Sequence, residues 1–165
     1  MRTKLIVANW KMNGSFELID EVFGLISSSF DKNILDIVIC PPNVLLYKMS
    51  SIFKGSGISV GSQNVHPETD GAFTGETSAP LLIECGVEWC IVGHSERRDH
   101  FDESEVFISK KIETLLNHNI RPILCLGESL SERESCKYEE VVVGQMRGAL
   151  SRLTTNALSN CVLAY

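Results

Sequence analysis

Six short apolar runs, most of them rich in β-branched residues, recur along this chain. They lie at 5–8 (Leu-Ile-Val-Ala), 37–40 (Ile-Val-Ile-Cys), 58–60 (Ile-Ser-Val), 89–92 (Trp-Cys-Ile-Val), 122–126 (Pro-Ile-Leu-Cys-Leu) and 161–164 (Cys-Val-Leu-Ala). Runs of that length predict strands buried on both faces of a sheet. Helical spacing fills the intervals. Phe16, Ile19, Val22, Phe23, Ile26 and Phe30 repeat every three or four residues, with Ser15 as the expected cap and Glu17, Asp20 and Glu21 in the early turns. A second predicted helix starts at Asp102 with Glu105 as its capping-box partner, and runs through Val106, Ile108, Ile112, Leu115 and Leu116. A third, over 137–153, offers Val141, Val142, Met146, Ala149 and Leu150 for burial. Strand alternating with helix implies a parallel sheet with right-handed crossovers.

No linker or change of composition divides the 165 residues, so the expectation is one domain spanning 1–165. Two α/β architectures satisfy the alternation: an open doubly wound sheet and a closed (β/α)8 barrel. The sequence contains no G-x-G-x-x-G, the turn a dinucleotide-binding sheet needs. A barrel ordinarily takes about 250 residues and eight strands, whereas six strands are counted here. The formal net charge of −6 argues against a nucleic-acid partner, since no excess of cations is available to neutralise phosphates. The opening apolar run is too short for a signal peptide or a membrane span, which predicts a soluble, cytoplasmic protein. Six cysteines without a C-x-x-C pair, and four scattered histidines, predict free thiols in a reducing compartment and no metal site.

Parallel α/β folds build their sites where strands end at the carboxyl side. The first strand runs into Asn9-Trp10-Lys11-Met12-Asn13, the third into Gln63-Asn64, the fourth into Gly93-His94-Ser95-Glu96-Arg97-Arg98 and the fifth into Gly127-Glu128. These ends are expected to converge on one mouth. Lys11 supplies a cation there, and Asn9 and His94 supply hydrogen bonds, a set that suits a small, anionic, oxygen-rich substrate. Taken singly, a lysine or histidine at a strand end more often satisfies local backbone. The functional reading comes from Lys11 and His94 together, with Glu96 two residues further on. The long irregular stretch 65–79 reads as functional or as an interface element.

Three segments, 9–13 (N-W-K-M-N), 71–76 (G-A-F-T-G-E) and 93–98 (G-H-S-E-R-R), closely resemble signature segments of the triosephosphate isomerases, in the same order and spacing. The stretches 123–128 and 162–165 look like two more. The resemblance covers the whole chain and corresponds to the amino-terminal two thirds of that family's barrel. It implies an incomplete TIM (β/α)8 barrel made of strands one to six. The activity it implies is interconversion of dihydroxyacetone phosphate and D-glyceraldehyde 3-phosphate through an enediolate, in glycolysis and gluconeogenesis, with no metal or organic cofactor.

By resemblance, Lys11 binds the substrate and offsets its charge, Asn9 hydrogen-bonds the reacting oxygens, and His94 is the electrophile, acting as neutral imidazole. The family is itself the established case of a helix amino terminus keeping that imidazole uncharged. Glu96 either pairs with Lys11 and positions it or takes part in proton shuttling. Arg97 and Arg98 read as ion-pair anchors for carboxylates such as Glu76 or Glu103, and Cys125 as packing. The loop 65–79 resembles the family's interdigitating dimer loop, which implies a homodimer with Met12, Phe73, Thr74, Gly75 and Glu76 at the interface.

In the family, the stretch resembling 163–165 is followed at once by the glutamate that serves as general base, then by the lid and phosphate loops. The 165 residues alone are therefore expected to be inactive, with strands one and six as unpaired edges. Three accounts of the chain follow: part of a longer isomerase, a fragment that needs a complementary piece, or a catalytically dead interaction protein. Another phosphosugar-binding barrel is the alternative to the family assignment.

Overall fold

Each of the six apolar runs forms a strand because its β-branched side chains pack on the pleated surface of a sheet. The computed structural model describes residues 3–27, 30–31 and 33–165. Its strands are β1 Lys4–Asn9, β2 Leu35–Cys40, β3 Ile58–Ser62, β4 Trp89–Val92, β5 Arg121–Cys125 and β6 Val162–Ala164. They pair in chain order and all in parallel, and the six-stranded sheet curls into part of a barrel with helices along its outside.

The curl divides the apolar residues by strand parity. Val38, Cys40, Trp89, Ile91 and Ile123 point inward with Leu5, Val7 and Val162, while Ile39, Val60, Cys90, Val92 and Leu124 point outward onto the helices. The two rim strands depart from the expectation of burial on both faces: Ile6 of β1 and Leu163 of β6 are 53% and 49% exposed. They lie on sheet edges that neither a neighbouring strand nor a helix covers among the described residues.

Helix α1, Phe16–Ile26, is capped as expected: Ser15 Oγ accepts from the Leu18 N–H at 3.1 Å. It stops at Ile26, short of Phe30, and the expected continuation at 28–29 lies outside the described residues. Helix α2, Leu46–Phe53, enters from a 3-10 turn at Asn43–Leu45 and buries Leu46, Met49 and Phe53. Helix α3 is Ala79–Glu84 and α4 is Ser95–Phe101.

Helix α5, Glu105–Asn117, corrects one expectation. Its cap is Ser104, whose Oγ accepts from the Phe107 N–H at 3.3 Å, whereas Asp102 ends α4 in the left-handed conformation. Glu105 is accordingly the first residue of the helix and not a capping-box partner. Helix α6, Leu130–Glu134, carries a complete capping box between Ser129 and Glu132. Helix α7 spans Tyr138–Leu150, shorter at its end than the expected 137–153, and α8 spans Thr155–Leu158.

Gly61 is where β2, β3 and β4 pack tightest. A Cβ there would stand 2.6 Å from Cys40 Sγ, 3.0 Å from Val38 Cγ1 and 3.3 Å from Trp89 Cβ. Gly61→Ala is expected to cost about 1–3 kcal/mol through overpacking. Thermal unfolding of the variant checks this, and the loss should shrink in a Cys40→Ala background, where the nearest of those atoms is gone.

Candidate active site

The carboxyl ends of β1, β3 and β4 meet around Lys11. Lys11 follows Asn9 at the end of β1 and takes a left-handed backbone, φ 53°, a conformation that costs a β-carbon-bearing residue energy and must be held by its surroundings. Two side chains hold it. Asn9 Oδ1 accepts from the Lys11 N–H at 3.0 Å, and Gln63 Nε2, at the end of β3, donates to the Lys11 carbonyl at 2.9 Å. The same Gln63 nitrogen donates to the Cys40 carbonyl at 2.8 Å, so one amide fastens the loop after β1 to the end of β2. Sequence reasoning placed Gln63 at the mouth without assigning it this work. Its signal was a polar amide directly after the buried run of β3.

His94 leaves β4 through Gly93 (φ 67°) and caps α4, its Nδ1 accepting from the Glu96 N–H at 3.3 Å. With Nδ1 as acceptor, the hydrogen-bond pattern assigns the ring proton to Nε2. Glu96 joins the two strand ends: its Oε1 accepts from Lys11 Nζ at 2.7 Å and its Oε2 stands 3.5 Å from His94 Nδ1. The hydrogen bond from Lys11 holds the Glu96 carboxyl below its ordinary value, against a smaller opposing effect of burial.

A depressed carboxyl contributes its pairing above its unfolded-state value and loses it as pH falls through the folded one. The Lys11–Glu96 contact is therefore expected to dissolve on acidification, below the usual carboxylate range. In a carboxyl-detected NMR titration, Lys11→Met should raise the Glu96 midpoint. An unchanged midpoint would mean that the pair does not form in solution.

Beneath this mouth lies a buried charged group. Glu103, with 2% of its side chain exposed, pairs with Arg97 of α4 and with Lys111 of α5, which is itself 1% exposed. Lys111 Nζ also donates to Asn64 Oδ1 at 2.7 Å, just beyond β3. Desolvation lowers the Lys111 pKa, opposed by its hydrogen bond and charge interaction with Glu103. Arg97 and Arg98 are ion-pair anchors as expected: of the two carboxylates named for them, Glu103 pairs with Arg97, while Arg98 pairs with Glu105. Glu76 sits exposed on the 65–79 loop, whereas Glu105 opens the helix that faces Arg98.

That loop contains no regular element before α3 and is pinned at its base. His66 N donates to the Thr77 carbonyl at 2.8 Å, Thr114 Oγ1 to the Pro67 carbonyl at 2.7 Å, and Asn43 Nδ2 to Thr77 Oγ1 at 2.9 Å. Phe73 packs on the His66 ring with centroids 4.1 Å apart, yet remains 44% exposed. Thr74, Gly75 and Glu76 are exposed beside it, and Met12, next to Lys11, is 94% exposed.

The fifth strand end goes elsewhere. Glu128 accepts from Tyr165 Oη at 3.2 Å and pairs with Arg133 at 2.6 Å, tying β5 to the residue after β6. A cavity of about 1060 Å3 between β1 and β6 opens at the amino ends of the strands, beside Asp36, Arg121 and Cys161, on the opposite side from Lys11 and His94. The six cysteines are free, and desolvation pushes the fully buried Cys90 thiol up to about 12 and raises Cys40 as well, so both pack as inert apolar groups.

The model of the family described as triosephosphate isomerase matches residues 4–165. The chain belongs to the triosephosphate isomerase family. The triosephosphate isomerase of Clostridium novyi (strain NT) is 42% identical over 169 residues, covering 100% of this chain and 66% of the relative. That of Alkaliphilus oremlandii (strain OhILAs) is 39% identical over 165 residues and that of Chloroflexus aurantiacus (strain ATCC 29366 / DSM 635 / J-10-fl) 38% over 166, with the same coverage. The chain thus spans about two thirds of the length of these triosephosphate isomerases. Among the described residues, no helix is long and apolar enough to cross a membrane.

Proposed function

We propose that this chain forms the substrate-facing part of a cytoplasmic triosephosphate isomerase, which interconverts dihydroxyacetone phosphate and D-glyceraldehyde 3-phosphate in glycolysis and gluconeogenesis. One observation carries the reading: Lys11 after β1 and His94 after β4 are brought to a single Glu96 carboxylate at the carboxyl ends of the strands. The reaction removes a carbon-bound proton next to a carbonyl, and negative charge grows on oxygen as the enediolate forms. Fixed donors at that oxygen stabilise it without reorganising during the step.

Lys11 gives the positive charge, and Asn9, held beside it, gives an amide. The His94 ring, with Nδ1 occupied by the Glu96 N–H, is left with Nε2–H as its donor. Oε1 of Glu96 is held by Lys11 Nζ and the Glu96 backbone N–H is spent on His94 Nδ1, which favours the positioning role over proton shuttling. In this reading the proton acceptor is the carboxylate that follows the position of Tyr165 in the family. The exposed Met12, Phe73, Thr74, Gly75 and Glu76 support a homodimer built through the 65–79 loop.

A coupled assay of triose phosphate isomerisation tests the proposal, run on the 165-residue polypeptide and on the product of its reading frame continued past Tyr165. No turnover is expected from the first and turnover on both trioses from the second. Activity of the longer protein on a larger sugar phosphate, with none on the trioses, would overturn the assignment.

A further inference from the structure

Arg98 lies below the site and touches none of Lys11, Glu96 or the His94 ring, yet its guanidinium spans the turn that carries the ring. Its side chain is 14% exposed. Nε donates to the Gly93 carbonyl at 2.7 Å, Nη2 donates to the Cys125 carbonyl at 3.3 Å at the end of β5, and Nη1 pairs with Glu105 at the start of α5. The three partners belong to three elements, and one planar fork reaches them all.

The Gly93 carbonyl and the His94 N–H share one peptide plane. Fixing that carbonyl therefore fixes the plane from which His94 Cα departs. Gly93 holds φ 67°, and a Cβ on it would stand 2.9 Å from Arg98 Nη2, 3.2 Å from Ile108 Cδ1 and 3.3 Å from Leu124 Cδ1. The guanidinium fills the space that any side chain at 93 would need. An ion pair with Glu105 alone would not require the Gly93 and Cys125 contacts, which are made to backbone oxygens and set direction.

We propose that Arg98 is a positioning residue for His94: by holding the Gly93–His94 peptide against the end of β5, it sets the direction in which the imidazole faces the substrate. The proposal rests on the isomerase reading for its kinetic consequence and on geometry alone for its structural one.

The test compares Arg98→Lys, which keeps the charge and loses the fork, with Glu105→Gln, which weakens the ion pair and leaves both backbone contacts. In the intact protein, side-chain 15N NMR of His94 reports the tautomer and the Nδ1 hydrogen bond. Arg98→Lys is expected to change the His94 ring shifts and mix its tautomers. It should also lower kcat on triose phosphate by roughly tenfold to a hundredfold with KM nearly unchanged, the scale expected of a small misplacement. Glu105→Gln should lower the unfolding midpoint while leaving the His94 spectrum as it was.

Equal displacement of the His94 signals by both variants, or displacement by neither, overturns the proposal. If Arg98→Lys fails to fold, Glu105→Gln still decides, because a changed His94 spectrum there makes the ion pair and not the backbone fork responsible. A protein without isomerase activity in which Arg98→Lys still shifts the His94 signals would refute the functional reading and leave the positioning claim standing.

Discussion

Exchanging Lys11 for methionine is expected to lower kcat/KM on triose phosphate by roughly a hundredfold to a thousandfold, the range seen when one fixed donor to a developing oxyanion is removed. Methionine keeps an unbranched chain of similar length, so the left-handed turn at Lys11, held by Asn9 and Gln63, should survive. Two effects then act together. The substrate loses the ammonium that offsets its charge, and Glu96 loses the partner 2.7 Å away that neutralises it, leaving a bare carboxylate facing an anionic ligand. The KM should therefore rise along with the fall in kcat. Steady-state kinetics beside a urea unfolding curve separate this from a folding defect. Unaltered kinetics would show that the mouth has been misplaced.

The largest stability effect is expected at Glu103. Truncation to alanine leaves Lys111, 1% exposed, and Arg97, 24% exposed, without their shared carboxylate. Breaking a buried ion pair from one side commonly costs about 3–5 kcal/mol, because the remaining charge is desolvated and uncompensated. Urea denaturation should show a lower midpoint at constant slope, and Lys111→Met added to Glu103→Ala should restore part of the loss.

The penalty also has a pH signature. Desolvation makes the folded protein hold the Lys111 proton less tightly than the unfolded chain does, and removing Glu103 removes a group that opposes this. The unfolded state then binds more protons, so the stability of Glu103→Ala should recover as pH rises toward the alkaline range. A penalty independent of pH would mean that Lys111 finds another anion.

These two sites were unequally legible in the sequence. Lys11, His94 and Glu96 follow buried runs directly, and a parallel sheet sends such positions to one end, so their meeting was foreseeable. Lys111 was passed over although Ile108, Ile112 and Leu115 place it on the buried face at helical spacing. A charge at such a position signals a hidden partner; Glu103 was expected to pair with an arginine, and its second, buried cation lies in a helix 8 residues on, a pairing that periodicity does not reveal.

The start of α5 misled for a related reason. Asp102 followed by Glu105 matches a capping box, but the left-handed turn at Asp102 had already ended α4, and Ser104 took over the cap. Helix α2 was missed even though Leu46, Met49 and Phe53 keep helical spacing, because eight residues give the pattern little room to repeat. The two-sided burial expected of β1 and β6 failed because an apolar run shows that a strand is suited to an interior, not whether neighbours enclose it.

The strand order has a consequence for how the chain acquires its structure. Each strand pairs only with those immediately before and after it, from β1 with β2 to β5 with β6. Register partners nevertheless stand tens of residues apart, as in Ile37 with Ile58 and Ile123 with Val162, so each parallel pairing must first close a loop that holds a helix, which slows such sheets relative to helical bundles. Because no strand pairs outside its chain neighbours, each strand-and-helix unit docks on the one before it, and two strands alone are too few to stand without the next.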